Sequence, residues 1–310
     1  MPNRVLQFLI AFSLIGFLPL SALSWCGEIS NNDFVAKTTL FANPERVVIK
    51  NYNGNAMEPF LTRDGRYLFF NNLNEAPENT NLHYAERQSD TFFLYKGELA
   101  GVNTASLEGV PTMDKNNVFY FVSLRNYNKT FSTIYGGEFS NGTISNIALV
   151  KGISRKKPGI VNFDVEISPD GNTMYFVDGD FTQSSSPKKA DLVVAVKTGD
   201  GFKRIKDSAE LLKNINTKDL EYAPSVSGDG KELFFTRLRL GILTPTSVGI
   251  FRATRTTTDQ PFGTPEIIEA ITGDFFEAPA LSADENSLYY HKKENGVFVI
   301  YKVTRQIVKP

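Results

Sequence analysis

Residues 221–237 read EYAPSVSGDGKELFFTR, and related stretches recur along the chain. Three copies match it well: MEPFLTRDGRYLFFNN at 57–72, DVEISPDGNTMYFVD at 164–178 and EAPALSADENSLYYHK at 277–292. A weaker copy, GVPTMDKNNVFYFVS, occupies 109–123. The residues at the equivalent turn position lie 52 to 59 residues apart: Asp64, Asn116, Asp170, Asp229 and Asp284. Five units of near-constant length indicate a repeat architecture within one domain.

Each unit begins with a short strand, a tight turn and a second strand. In the third unit the turn is Ser168-Pro169-Asp170-Gly171, which a type I turn followed by a left-handed residue prefers. In the second unit Asn117 replaces the glycine, since asparagine tolerates a positive φ better than other side chains do. In the fifth unit we expect Asn286 to take the left-handed conformation.

The second strands carry consecutive large apolar residues, such as Leu233-Phe234-Phe235, which is typical of strands covered on both faces. A third strand follows in each unit, and then a weaker fourth such as Pro265–Ile268. The predicted third strands lie at 93–95, 133–135, 192–194, 249–251 and 299–301. Four antiparallel strands per unit, repeated radially, predict an all-β protein with the β-propeller fold.

The fifth unit has no fourth strand of its own, and the N-terminal part of the chain is predicted to supply it. Residues 41–48 match Phe262–Ile268 in an F-x-x-P-E pattern. An N-terminal outer strand in the last blade would close the ring and remove an exposed edge. We therefore expect five four-stranded blades. The alternative is six blades, of which the sixth is degenerate.

The first 24 residues have the features of a signal peptide. Arg4 gives a basic start, residues 5–20 form an apolar stretch, and Ala22-Leu23-Ser24 offers small residues for cleavage. The apolar stretch is shorter than the roughly 20 residues of a membrane span. We therefore expect a signal peptide at 1–24, an N-terminal lead at 25–40 and a propeller at 41–310. The mature protein is predicted to be periplasmic or secreted, with no transmembrane segment.

Composition excludes several kinds of site and partner. Cys26 is the only cysteine, so the chain has neither an internal disulfide nor a cysteine-rich metal site. The 33 basic and 34 acidic residues nearly balance, whereas nucleic-acid-binding proteins carry a basic excess, so nucleic acid is not an expected partner. Two histidines, His83 and His291, are too few for a metal site built on several histidines.

The pattern P-x-x-S-x-D-G-x-x-L-Y/F-F resembles the WD40-like repeat of the TolB-like β-propeller family. The copies that carry it are 59–70, 168–176, 224–235 and 279–290, and with the weak copy the units cover nearly all of the chain after residue 40. The resemblance implies a periplasmic propeller. TolB itself resembles a six-bladed propeller with a separate N-terminal domain, for which residues 25–40 leave no room. The resemblance therefore does not extend to a role in the Tol system.

Acidic residues stand close to the starts of four predicted inner strands: Glu58, Asp164, Glu221 and Glu277. Inner strands line the central channel of a propeller, so these carboxylates are expected to ring one mouth of it. In one interpretation each acid caps a turn or pairs with a nearby arginine or lysine. In the other they form a cation site or the carboxyl pair of a glycosidase. Glu166 breaks the repeat beside Asp164, and these two are the candidate catalytic residues.

Other candidate binding residues are expected at the same mouth. Tyr222 and Phe275 either stack on a sugar or cap the core. His83 and Arg87 fall in a long predicted loop, Asn72–Thr91, on the face where loops concentrate.

These features favour an exported, non-enzymatic propeller that binds another protein of the envelope or secretome. The alternative is a carbohydrate-binding or glycoside-hydrolase-like propeller that uses the acidic mouth, with a glycan as ligand. A third hypothesis places a structural cation, the one cofactor considered, at the channel mouth. Carboxylate geometry tests the glycoside-hydrolase alternative, because a glycosidase needs two facing carboxyls about 5–10 Å apart in an open pocket.

Overall fold

The computed structural model describes residues 27–28, 36–74, 80–184, 186–240 and 246–306. The predicted signal peptide at 1–24 and most of the lead at 25–40 lie outside these residues. Within them the protein is nearly all β, with two short helices, α1 (Tyr127–Thr130) and α2 (Ser208–Leu211). Three short strands precede the first repeat unit: β1 Gly27–Glu28, β2 Lys37–Thr38 and β3 Phe41–Arg46.

The first unit forms a five-stranded sheet. Its strands are β4 Val48–Lys50, β5 Met57–Leu61, β6 Tyr67–Asn71, β7 Leu82–Ser89 and β8 Phe92–Glu98. Strands β5 to β8 are antiparallel neighbours in chain order, and β4 adds to the edge of β8 in parallel.

The structure corrects the predicted loop at Asn72–Thr91. Residues 82–89 of that stretch form β7, so the segment at 93–95 lies in the fourth strand, not the third. Only the first part of β7, around Leu82 and Ala85, is buried, and its last residues are exposed. Alternating apolar residues are the main sequence signal of a strand. The polar residues at the exposed end of β7 lack this alternation, so the sequence did not predict β7.

The second and fifth units each form a four-stranded sheet. The second comprises β9 Glu108–Met113, β10 Val118–Ser123, β11 Ile134–Ser140 and β12 Thr143–Leu149. The fifth comprises β21 Phe276–Leu281, β22 Ser287–Glu294 and β23 Val297–Arg305, together with β3. β3 pairs antiparallel with β23, and Phe41 lies opposite Arg305.

The third and fourth units belong to one ten-stranded sheet. The third comprises β13 Ile160–Ile167, β14 Thr173–Asp180, β15 Lys189–Thr198 and β16 Gly201–Arg204. The fourth comprises β17 Leu220–Val226, β18 Glu232–Arg239, β19 Ser247–Thr254 and β20 Glu266–Ile268. A single parallel pair, Ala190 with Leu220, joins the two units. β1 pairs with β19 and β2 with β20, so part of the predicted lead at 25–40 belongs to this sheet.

In each unit the strand that precedes the repeat turn is the inner strand, and these inner strands, β5, β9, β13, β17 and β21, are neighbours in space. β5 contacts β9 and β21, β13 contacts β9 and β17, and β17 also contacts β21. Aromatic side chains pack between adjacent sheets: the rings of Phe69 and Phe119 lie 5.4 Å apart, edge to face, and those of Phe93 and Tyr289 lie 6.5 Å apart. Edge-to-face pairs of this kind are a favourable arrangement for buried aromatic rings.

Each turn between the first two strands of a unit is held by local hydrogen bonds. In the third unit Ser168 Oγ donates to Asp170 Oδ1 (2.6 Å) and accepts from the backbone N–H of Thr173 (2.9 Å). The same bonds recur in the first, fourth and fifth units. The left-handed residues of the five turns are Gly65, Asn117, Gly171, Gly230 and Glu285.

In the fifth unit the left-handed residue is Glu285, with φ 60°, and not Asn286 as expected. Glu285 Oε1 accepts a hydrogen bond from the backbone N–H of Gly228 (2.7 Å), in the turn of the fourth unit. This contact between units stabilises the positive φ of Glu285, which is uncommon for residues other than glycine, asparagine and aspartate.

Candidate functional site

Every inner strand contains a β-bulge at the same repeat position. The left-handed residues there are Glu58, Val110, Asp164, Ala223 and Ala278, and the register with the second strand shifts at each. A bulge adds an unpaired residue and turns its side chain away from the regular alternation. The surrounding structure must hold this conformation, because a positive φ is unfavourable for residues with a side chain.

A small cavity lies between these bulges. Its volume is about 30 Å³, and its lining includes Glu58, Asp164 and Glu166 together with the prolines and alanines of the bulges. Such a space holds one or two water molecules or a single ion. Pockets that bind drug-sized molecules are larger by about an order of magnitude, roughly 300–1,000 Å³.

Glu277 and His291 form the second half of the central cluster. Tyr222 Oη donates to Glu277 Oε2 (2.6 Å), and His291 Nε2 lies 3.1 Å from Glu277 Oε1. His291 Nδ1 accepts the backbone N–H of Glu58 (3.1 Å). Because Nδ1 is an acceptor, the proton of the ring lies on Nε2 and is donated to Glu277. The imidazole in this tautomer is neutral and joins the first unit to the fifth.

The sequence reading did not place His291 in the site. The signal that identifies it is register: His291 lies directly opposite Glu277 across the β21–β22 pair. Side chains opposite each other in an antiparallel pair contact each other.

Asn74 and Asn71 form a chain of hydrogen bonds that ends at Glu58. The sequence pattern did not indicate either asparagine as a site residue. Asn74 Nδ2 donates to Glu58 Oε1 (2.8 Å), and Asn71 Nδ2 donates to Asn74 Oδ1 (2.7 Å). Asn71 Oδ1 accepts the backbone N–H of Val110 (3.0 Å), the left-handed residue of the neighbouring inner strand. The chain of amides therefore connects the bulge of the second unit to the carboxylate of the first.

Burial is the main cause of the pKa shifts in the cluster. Burial raises the pKa of Glu58 to about 7; Glu277 adds to this, while His291 and the bond from Asn74 oppose it. Burial and the neighbouring Glu58 and Glu277 raise the pKa of Asp164 well above its usual range, although the N–H of Ala223 donates to its Oδ2 (3.0 Å). Burial and Glu277 raise the pKa of Tyr222, which keeps it a hydrogen-bond donor.

Three of the four predicted acids meet in this cluster, and Glu221 does not. Glu221 accepts from Arg237 Nε (2.7 Å) and Thr217 Oγ1 (2.6 Å), and burial raises its pKa although both partners oppose the change. It lies two residues before the bulge, where the register places it opposite Arg237 across β17–β18. Glu108 of the second unit also lies two residues before its bulge and pairs with an arginine, Arg125 (3.1 Å), although Ser123 is its partner in the strand register. Both acids are therefore paired with a nearby arginine and lie outside the central cluster.

Glu166 lines the cavity, but its charge is paired. Its Oε1 accepts from Arg63 Nη2 (3.0 Å) and its Oε2 from Thr112 Oγ1 (2.6 Å). Arg63 also donates to the carbonyl of Met113 (3.1 Å) and therefore ties the first unit to the second and third. Asp164 and Glu166, the candidate catalytic residues, thus differ in that only Glu166 has a basic partner.

The remaining candidates lie outside the cluster. His83 is on β7, where its ring stacks on Phe70 (5.5 Å between centroids) and its Nδ1 lies 2.9 Å from Tyr95 Oη. Burial lowers the pKa of His83. Arg87, near the exposed end of β7, pairs with Asp90.

Phe275 packs in the core. It is buried against Phe298, edge to face at 6.1 Å between ring centroids. Of its two predicted roles, capping the core and stacking on a sugar, this placement is that of a core residue.

One group in the described part of the chain has the spacing of a metal site. Glu58, Glu277 and His291 each offer a ligand atom, and these atoms lie within 4.8 Å of one another. All three residues are buried.

Comparison with known proteins places the chain by fold. No family model and no curated protein matches it. Among solved structures it is similar to Zg3597, a family 117 glycoside hydrolase from Zobellia galactanivorans (TM-score 0.55, 9% identity, 86% of this chain and 90% of that one). A further glycoside hydrolase matches with TM-score 0.56 and 10% identity over 88% of this chain and 93% of that one.

TolB from Acinetobacter baumannii is also similar, with TM-score 0.44 and 16% identity. The match covers 82% of this chain and 55% of TolB, so the chain spans about half the length of TolB. The similarities to glycoside hydrolases, at such low identities, show the fold alone: a nearly all-β, propeller-like structure. Over the described residues, no helix combines the length and apolar character needed to cross a membrane.

Proposed function

We propose that the protein is an exported β-propeller of five four-stranded blades, closed by β3, that binds another protein of the envelope or secretome. Two observations support the blade count and the closure. Each inner strand contacts two other inner strands, and β3 pairs with β23 of the fifth unit. The signal-peptide features of residues 1–24 support export.

The observation that favours a binding role over catalysis is that the central carboxylates are hydrogen-bonded and lie around a very small cavity. A glycosidase needs two carboxyls facing an open sugar site. Here Glu166 is paired with Arg63, Glu277 with Tyr222 and His291, and the cavity beside Asp164 has a volume of about 30 Å³. A sugar ring does not fit in this space, and the acids hold the inner strands together.

A groove beside β4 suits an extended segment of a partner. It has a volume of about 620 Å³ and is lined by residues 46–54 and 56 on one side and by 294–295 and 297–300 on the other. Among the described strands β4 pairs only with β8, so one of its edges is open. Val48 and Val297 are 45% and 39% exposed in this groove. An open edge next to exposed apolar side chains is the surface on which a partner strand adds to a sheet.

Site-specific photo-crosslinking in the native host tests this proposal. A photoreactive phenylalanine analogue replaces Val48 or Val297 in the full chain, and Val196 on β15, which is 37% exposed, serves as the matched control. We expect one discrete crosslinked species at Val48 and Val297, identified by mass spectrometry as an envelope or secreted protein, and none at Val196. Equal crosslinking at all three positions, or none in the groove, would contradict the proposed binding surface.

A separate assay addresses catalysis. The purified protein is incubated with polysaccharides, and released reducing sugar is measured for the wild type and for Glu166→Gln and Asp164→Asn. We expect no release above the no-enzyme control. Release that both variants abolish would replace the binding proposal with the glycoside-hydrolase alternative.

A further inference from the structure

The groove beside β4 gathers most of the large apolar side chains that are exposed in the described part of the chain. Five such residues are exposed there, and three of them, Val48, Phe92 and Val297, lie at or beside the groove. Val48 and Val297 line it, and Phe92 is opposite Val48 in the β4–β8 pair. Single exposed apolar residues are ordinary, whereas a group of them marks a binding surface.

The two walls of the groove are hydrogen-bonded to each other. The backbone N–H of Val47 donates to the carbonyl of Ile300 (2.8 Å), and that of Ala56 donates to the carbonyl of Phe298 (2.9 Å). The N–H of Phe298 donates to Asn55 Oδ1 (2.9 Å). These bonds set the shape of the groove before a partner arrives, which lowers the entropy that binding must overcome.

The charged residues at the groove leave an excess of positive charge. Among the described residues that line it, Glu294 is the only acid, and it pairs with Arg46 (3.4 Å). Lys50 lines the groove, is exposed and has no ion-pair partner within the described ranges. Lys293 also has none there, and its Nζ lies 5.5 Å from the ring centroid of Phe298, another lining residue. The groove therefore has two lysines whose charge no acid compensates.

This charge distinguishes between the occupants that the groove could take. In a dimer with two-fold symmetry the same surface of each copy meets the other, so two positively charged grooves would face each other. Like charges brought together at an interface weaken binding, whereas opposite charges speed association and set specificity. We propose that the groove binds an extended, acidic segment of another protein. This inference rests on the proposed function and defines the chemistry of the partner.

The spacing on β4 sets the pattern of that segment. Val48 and Lys50 are two residues apart on one strand, and both are exposed, so their side chains lie on the same face. An apolar side chain of the partner packs between Val48 and Val297, which line opposite walls. Apolar anchors of this kind supply much of the affinity of an interface. An aspartate or glutamate two positions from the anchor reaches Lys50, because alternate residues of an added strand also share a face.

Photo-crosslinking from Val48, followed by mapping of the labelled peptide, tests this inference. The photoreactive analogue replaces Val48 in the full chain in its native host, and mass spectrometry identifies the partner residues that it labels. Lys50→Glu reverses the uncompensated charge. Lys197→Glu, at an exposed lysine on β15, changes the net charge equally and is the matched control. Thermal unfolding of the purified variants checks that both are folded.

We expect the labelled segment to carry an aspartate or glutamate within about three residues of the crosslink. The yield at Val48 should fall about three- to tenfold in Lys50→Glu, since an attraction becomes a repulsion, and should stay unchanged in Lys197→Glu.

A synthetic peptide of the mapped sequence then measures the affinity directly. Its Kd for purified Lys50→Glu should exceed that for the wild type by about three- to tenfold, and the ratio should shrink at high salt. A second peptide, in which asparagine and glutamine replace its acids, should bind both proteins equally.

Three outcomes would overturn the inference, and they are distinguishable. If the wild type gives no discrete crosslinked species at Val48, the proposed function fails and this inference fails with it. If the labelled segment has no acid, or if Lys50→Glu crosslinks as well as the wild type, only the acidic partner is refuted. A crosslinked dimer of this chain would show that a second copy fills the groove.

Discussion

The carboxylates at the centre of the molecule and four of those between its strands have different hydrogen-bond partners. Between the strands, these four acids are bonded to arginines: Glu108 to Arg125, Asp178 to Arg204, Glu221 to Arg237 and Glu232 to Arg305. At the centre Glu58 and Asp164 are bonded to amide donors only. On the inner strands, position relative to the bulge separates the acids. Glu221, two residues before the bulge, lies opposite Arg237, whereas Glu58 and Asp164, at the bulge, line the cavity.

The largest expected effect comes from breaking one of the arginine pairs. Arg237→Ala leaves Glu221 fully buried with its charge uncompensated and also removes the cation–π contact with Phe251 (4.8 Å). Removing one partner of a buried pair costs about 3–5 kcal/mol in the free energy of unfolding. Urea denaturation measures it. The control is Lys213→Ala, which breaks an exposed pair with Glu210 and should cost no more than about 0.5 kcal/mol. Equal losses in both variants would refute the distinction.

The central acids should respond to pH in the opposite sense from Asp178, whose pKa is lowered by its arginine partners. Burial raises the pKa of Glu58 to about 7, above its unfolded value, so Glu58 makes the protein less stable as pH rises from about 4.5 to 7. Glu58→Gln removes this contribution, and relative to the wild type it should gain up to about 3 kcal/mol between pH 5 and pH 8. Urea denaturation at both pH values measures the gain. A stability difference that does not change with pH would show that Glu58 titrates normally.

Asp178 provides the matching test in acid. Burial favours its neutral form, but hydrogen bonds from Arg204 and Arg155 prevail and lower its pKa. The stability it contributes is therefore present above pH 4 and lost as pH falls through the folded-state pKa. Asp178→Asn should be less stable than the wild type by about 1–2 kcal/mol at pH 7, and the difference should shrink towards pH 2. Melting temperatures at the two pH values check this, and a constant difference would contradict it.

Local sequence was sufficient to predict the repeat and four of its five turns, because these turns are held by bonds within six residues, such as those of Ser168 to Asp170 and Thr173. In the fifth turn Glu285 takes the left-handed conformation, and its contact with Gly228 of the fourth unit is not visible in the local sequence. The sequence also predicted that β3 pairs in the fifth unit, because Phe41–Arg46 repeats the pattern of the fourth unit's outer strand. The sequence did not show which acids pair with an arginine and which line the cavity. Glu58 and Glu221 both stand near the start of an inner strand, and only the register around the bulge distinguishes their positions. His291 lies beside Glu277 through cross-strand pairing, which composition does not reveal.

The pairing of β3 with β23 has a consequence for the order in which the protein acquires its structure. Phe41 and Arg305 are partners in one sheet although nearly the whole described chain lies between them. A growing chain therefore completes its last sheet only after its final strand has been synthesised. Contacts between such distant residues slow folding. A product truncated before β23 leaves the edges of β3 and β22 unpaired, which makes it prone to aggregation. β3 thus gains its partner strand only when residues 297–305 are present.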